Sequence, residues 1–343
     1  MHGEGVEGYQ VDAFAALFEA SAIRPDETVA VLTETGSRPL NIAVAELALA
    51  RIGVRPYRIT VPSRRMGINI ARSTGATQVL HGMDAVVAAL QAADVVVDLT
   101  LEGLMHAPQT ASILGAGTRV QVISDEHPDM LARFSPDPAL REAVRTAVKK
   151  SREAKVMSVT SDAGSDLVVA MEGAATVGVW GWTDKPGTLA HWPGGIVVSF
   201  PRAGTVSGRL VLKPGDMNLT YKRYVENKVA LTIAGDRVVQ VDGDGVDAQL
   251  MRDTWASWND PDAYAVSHVG WGLNPAARWD ALTMVDKADT NGTELRAVPG
   301  NFLFSTGANE FAGRFTEGHF DLPMMGCTIM LDGTPVVSDG RLV

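Results

Sequence analysis

Near its C-terminal end the chain reads EGHFDLPMMG, residues 317–326, which sets His319 and Asp321 two positions apart. The run around them is apolar and stops at a proline and a glycine, as a strand does. Side chains at i and i+2 of a strand point the same way. An imidazole and a carboxylate would therefore share one face. Two more histidines stand in unusual surroundings. His268 lies in SHVGWGLNP (267–275), ahead of an aromatic, glycine-rich loop, and His191 lies in GTLAHWPGG (187–195), inside a turn framed by glycine and proline. Burying that many ionisable groups is costly unless they are paired or bind a metal. Two neutral imidazoles and one carboxylate can hold one face of an octahedral ion and leave three positions for substrate and dioxygen. This is the ligand arrangement of non-haem Fe(II) oxygenases. His268, His319 and Asp321 are the ligands on this reading, although a lone H-x-D is a frequent chance pattern.

Two kinds of element must position these groups. Over residues 1–154 strand and helix signals alternate. ETVAVLTET (27–35), RPYRITV (55–61), DVVVDLT (94–100) and TRVQVIS (118–124) read as strands; LNIAVAELALARIG (40–53), MDAVVAALQAA (83–93) and DPALREAVRTAVKKSREA (137–154) read as helices. Such alternation implies an α/β domain with a parallel sheet. A nucleotide site does not follow: LGAGT (114–118) lacks a third spaced glycine and precedes a strand, and no G-x-x-x-x-G-K-[ST] occurs. A structural or oligomerising role is expected for this domain. Over residues 155–343 short β-like runs alternate with Gly and Pro turns, which implies a β-rich α+β domain that carries the metal site. All seven tryptophans fall between Trp180 and Trp279, in this second half, where they can serve as core or as pocket. VDGDGVD (241–247) resembles a calcium loop but has Asp247 where that loop needs glycine, so it is read as a tight turn.

Composition narrows the function classes. At 343 residues the length suits two domains, and 46% hydrophobic with 20% charged residues marks a globular chain. A net charge of −10 argues against nucleic acid or an anionic membrane surface as partner. No apolar run approaches a membrane span, and MHGEGVEGYQ shows no signal-peptide pattern. The single cysteine, Cys327, permits no internal disulfide and is read as a small core residue; a cytoplasmic setting is expected.

DAYAVSHVGWGLNPAARWD (262–280) and GHFDLPMMGCTIMLDG (318–333) together resemble 2,5-dihydroxypyridine 5,6-dioxygenases, the ring-opening enzymes of nicotinate and nicotine breakdown. The resemblance is close over roughly residues 155–340 and looser before. It implies a fold like that of aminopeptidases of the T/S type, with departures from the peptidase pattern. Those peptidases carry a metal-binding glutamate after an F-P turn; SFPRAGTVSG (199–208) has no acid. They carry Gly-Glu before a G-x-N-P loop, where this chain has His268. A carboxylate-rich site for two metals thus becomes a site for one metal with two histidines, which suits dioxygen chemistry.

The resemblance also implies roles. Fe(II) is the expected cofactor, although the same ligands take Mn(II) or Zn(II). The substrates are a small aromatic N-heterocycle and dioxygen, the product is N-formylmaleamate, and the chain assembles as a homo-oligomer. His191 would move the ring-hydroxyl proton, or else brace the WPGG turn. Glu172, in AMEGAATVG, is a second acid–base candidate or a solvated turn residue. Trp192 and Trp271 would stack on the ring, and Ser267 and Glu317 would orient the ligands beside them. The alternatives are a metal-dependent aminopeptidase, a dioxygenase of another hydroxylated N-heterocycle, and a binding module with a structural metal. The last fits poorly, because structural zinc prefers four ligands and often cysteine.

Overall fold

The computed structural model describes residues 5–64 and 77–343. The first elements in chain order are α1 (Gly8–Ala20), β1 (Val29–Glu34), α2 (Pro39–Arg51), β2 (Tyr57–Val61), α3 (Asp84–Gln91) and β3 (Val95–Asp98). Next come α4 (Thr110–Gly115), β4 (Arg119–Ile123), α5 (Pro128–Leu131) and α6 (Pro138–Glu153). A run of strands follows: β5 (Val156–Ser161), β6 (Asp166–Ala170), β7 (Ala175–Val179), β8 (Leu189–Trp192), β9 (Ile196–Phe200) and β10 (Val206–Leu212). The run closes with β11 (Met217–Asn218), β12 (Arg223–Tyr224), β13 (Val229–Ala234) and β14 (Arg237–Asp242). The remainder is α7 (Val246–Trp258), β15 (Val266–Gly272), α8 (Thr293–Arg296), β16 (Phe302–Asn309), β17 (Arg314–Met324), β18 (Cys327–Leu331), β19 (Thr334–Ser338) and β20 (Arg341–Leu342).

These elements form two compact units that are not consecutive halves of the chain. One comprises Met1–Pro138, Val179–Gly194 and Val285–Thr293; the other comprises Ala139–Gly178, Gly195–Met284 and Glu294–Val343. The expected division after residue 154 misses both crossings. The first unit holds a parallel sheet in the order β2-β1-β3-β4-β8. Its inner strands are buried along their whole length, as parallel strands covered on both faces must be. Its fifth strand, β8, comes from the stretch assigned in sequence to the β-rich domain. Four residues are too few to show a period that would tell which sheet they join.

The second unit has an eight-stranded sheet, β14-β13-β10-β6-β5-β18-β19-β20, and a five-stranded sheet, β17-β16-β15-β9-β7. One core joins them: Met157, Leu167 and Ile329 come from the larger sheet, and Val197, Trp271, Phe304 and Phe320 from the smaller. Cys327 is buried in that core. Helix α6 belongs here. It buries Leu140, Val144, Ala147 and Ser151, one helical stripe. Val144 and Val148 come within 2.5 and 2.7 Å of where a Cβ on Gly178 would stand, so α6 seats on β7 only because that residue is glycine. The VDGDGVD run is a turn leading into α7, and the Asp247 carboxylate accepts from the Glu226 and Asn227 amides.

Candidate metal centre

Strand β17 alternates strictly. Phe320 points into the core, edge-on to Trp255 and Trp258, while His319 and Asp321 share the other face. β17 lies at the edge of its sheet. Two of its carbonyls are nonetheless satisfied: Thr220 Oγ1 donates to His319 O at 2.9 Å and the Leu219 amide to Asp321 O at 3.0 Å. Across the ladder Asp321 faces Ser305 and His319 faces Gly307 on β16.

His268 arrives from β15. The β15–β16 register shifts between Val266 and Val269, where two intervening residues oppose the single Ser305. Such a bulge re-aims side chains: it lets Val266 and Val269 both face the core with Ser267 and His268 between them, and alternation puts His268 opposite Val269 and Trp271. The imidazole stacks on Phe200 at 5.3 Å and on the His319 ring at 5.8 Å. Its Nδ1 lies 3.0 Å from Ser267 Oγ. The Ser267 hydroxyl donates its one hydrogen to the Ala308 carbonyl, so it accepts from His268 Nδ1–H. That tautomer leaves Nε2 as the ligand nitrogen.

The three groups converge. His319 Nε2 is 3.2 Å and His268 Nε2 3.9 Å from Asp321 Oδ1. One ligand atom from each of His268, His319 and Asp321 lies within 4.8 Å of the others, and all three residues are buried. Arg296 completes the cluster, with Nε and Nη2 each 2.6 Å from Asp321 Oδ2. Burial alone would raise the Asp321 carboxyl; the Arg296 guanidinium, followed by His319 and His268, outweighs it and holds the group well below the usual carboxylate range. An ionised carboxylate and two imidazoles that present Nε2 are the donor set a divalent first-row ion takes, and without thiolates they do not make a closed structural zinc site. The residues fit such an ion.

The other sequence candidates are placed as follows. Ser267 holds His268. Glu317 is exposed on β17, and Glu172 is exposed in the turn after β6. Trp271 is 2% exposed in the core on the sheet face opposite His268, which corrects its assignment as a stacking residue. Trp192, also 2% exposed, belongs to the first unit, where its ring sits edge-on to Phe14 and its indole N–H donates to the Phe134 carbonyl. Packing accounts for both indoles. His191 lies on β8, opposite Val122, with Nδ1 2.7 Å from the Pro193 carbonyl. Arg296, Ser305 and Phe200 were not singled out from sequence. Only Ser305 leaves a trace there, as a hydroxyl inside the apolar run NFLFSTG.

Comparison with known proteins gives the site a context. The family model for 2,5-dihydroxypyridine 5,6-dioxygenase matches residues 10–343. The 2,5-dihydroxypyridine 5,6-dioxygenase of Pseudomonas putida KT2440 is 35% identical over 336 residues, which cover 96% of this chain and 95% of that protein. The solved structure of the 2,5-dihydroxypyridine dioxygenase of that organism superposes with a TM-score of 0.93 at 33% identity, covering 99% of this chain and 98% of that one. Wild-type AmpT of Thermus thermophilus superposes with a TM-score of 0.66 at 14% identity, over 97% and 99% of the two chains; that likeness concerns the fold alone. The fold is thus the aminopeptidase T-like one expected from sequence.

Proposed function

The chain belongs to the 2,5-dihydroxypyridine 5,6-dioxygenase family, and from that premise we propose that it cleaves the C5–C6 bond of 2,5-dihydroxypyridine with dioxygen, giving N-formylmaleamate in nicotinate or nicotine breakdown. Both oxygen atoms end in the product. The ring supplies the electrons, and no separate reductant is consumed. The observation that carries this reading is the convergence of His268, His319 and Asp321 within one cluster of ligand atoms.

These three residues would hold Fe(II). A bound Fe(II) supplies a redox-active Lewis acid with positions open to an electron-rich ring and to dioxygen. The chain's own groups do the rest. Ser267 fixes the tautomer of His268, and Phe200 covers that ring. Ser305 and Arg296 hold the two carboxylate oxygens of Asp321. His191 stands in the other unit, where its Nδ1–H donates to the Pro193 carbonyl and braces the WPGG turn.

The test is oxygen uptake. Protein purified without oxygen and loaded with Fe(II) is given 2,5-dihydroxypyridine, and dioxygen is followed together with ring absorbance. One dioxygen consumed per ring lost is expected. Iron-loaded protein that consumes none would overturn the reading and direct attention to other hydroxylated rings, then to amide hydrolysis with zinc or cobalt.

A further inference from the structure

The two carboxylate oxygens of Asp321 are used differently. Oδ1 faces the imidazoles, at 3.2 Å from His319 Nε2. Oδ2 receives two donors of one guanidinium, Arg296 Nε and Nη2, each at 2.6 Å. Arg296 is firmly seated. Asn301 Nδ2 donates to the Leu295 and Arg296 carbonyls at 2.8 and 3.1 Å, and Asn301 Oδ1 accepts the Gly272 amide at 2.6 Å. A Cβ on Gly272 would lie 2.3 Å from the Val298 carbonyl oxygen, so the segment that follows α8 and Arg296 rides directly on the strand bearing His268. Three strands and this segment therefore fix one geometry.

We infer that Arg296 is a positioning residue that restricts Asp321 to ligation through Oδ1 alone, so that a metal held by the three ligands keeps three positions open rather than two. A carboxylate beside a divalent cation binds through one oxygen or both, and only a competing interaction on the second oxygen decides which. Charge-assisted hydrogen bonds from a guanidinium are roughly twice as strong as neutral ones, and the planar fork fixes direction as well as charge. Lysine would keep the charge and lose the fork. The inference rests on the one-metal reading proposed above and says which of its positions ring and dioxygen can occupy together.

The experiment loads the full-length protein with Mn(II) and counts exchangeable water ligands by water-proton relaxivity, without substrate. The wild-type protein should show three. Arg296→Gln should show two, an inner-sphere relaxivity lower by about a third for a six-coordinate ion, while chelator competition finds Mn(II) bound no more weakly than in the wild type. Arg296→Lys should follow Arg296→Gln. An arginine that only braced the fold would do the opposite: its loss would weaken Mn(II) binding and leave the water count per bound ion unchanged, and that result overturns the inference. So does a count of two in the wild-type protein, which needs no variant to fold. Because no ring or dioxygen takes part, a failure here leaves the oxygen-uptake test standing, and a failure of that test leaves the water count meaningful.

Discussion

Ser305 on β16 and Asp321 on β17 face each other across an antiparallel ladder, and the serine hydroxyl donates to the carboxylate oxygen nearest the two imidazoles. Ser305 Oγ also lies 3.3 Å from His268 Nε2. With its hydrogen on Asp321 and His268 Nε2 unprotonated, this hydroxyl orients the carboxylate and only borders the imidazole. Groups that orient metal ligands in this way contribute through affinity more than through folding. Ser305→Ala should weaken Fe(II) or Mn(II) binding about 10- to 100-fold, as measured by competition with a coloured chelator. An affinity equal to the wild type would remove Ser305 from the site.

His319→Ala and Asp321→Ala should both abolish metal binding and turnover, yet differ in the metal-free protein. Asp321 is the counter-charge of Arg296, and both side chains are nearly inaccessible. Removing one partner of a buried pair leaves an uncompensated charge and costs about 3–5 kcal/mol. His319→Ala leaves that pair intact. Urea unfolding of the metal-free variants should therefore rank Asp321→Ala clearly below His319→Ala. Equal midpoints would show that the Arg296–Asp321 pair contributes nothing beyond the site.

The acid-side stability should carry the mark of two other carboxyls. Burial pushes Asp98, at the end of β3, and Asp216, ahead of β11, each up to about 6. Asp98 accepts from the Thr100 amide and hydroxyl and the Leu104 amide, but these do not offset its burial. A carboxyl whose folded value exceeds its unfolded one binds its proton more tightly when folded. Its contribution is present at low pH and falls as pH rises from about 4 to 6. For Asp98 the loss amounts to ~3 kcal/mol. Asp321 acts in the opposite sense, but its folded value lies well below this window. Asp98→Asn should flatten the plot of unfolding free energy against pH over that interval. A slope unchanged from the wild type would show that Asp98 is ionised throughout.

What sequence could reveal follows from how each feature is encoded. The parallel strands were legible because strands such as VAVLTE and VVVD are buried on both faces and read as short apolar runs. The spacing of His319 and Asp321 was legible because a strand converts i, i+2 into a shared face. The bulge that sets Ser267 beside His268 was not, because one extra residue leaves no mark on composition. Arg296 was not, because an arginine at the end of a one-turn helix looks the same in sequence whether it is solvated or clamped on a carboxylate. Trp271 was misjudged because an indole beside glycines suits a core as well as a pocket; only the alternation along β15 decides. The unit boundary was missed because β8 must cross back to a sheet whose other strands lie far earlier in the chain.

Gly307 provides the sharpest test of the ladder that presents His319. It faces His319 in the register, has φ +110°, and a Cβ there would lie 1.9 Å from the Gly318 carbonyl oxygen. Gly313, in the hairpin between β16 and β17, also has a positive φ, +70°, but nothing lies within 4 Å of its would-be Cβ. Alanine at Gly313 meets only the left-handed backbone penalty, about 1–2 kcal/mol. Alanine at Gly307 meets that penalty and must also push β17 away from β16, which carries His319 out of line with Asp321 and His268. Both variants should therefore lose stability, but only Gly307→Ala should also lose metal affinity. Equal metal affinity in the two proteins, measured by the same chelator competition, would mean that the His319 side chain tolerates movement of its strand and that the close β16–β17 approach is not what sets the site.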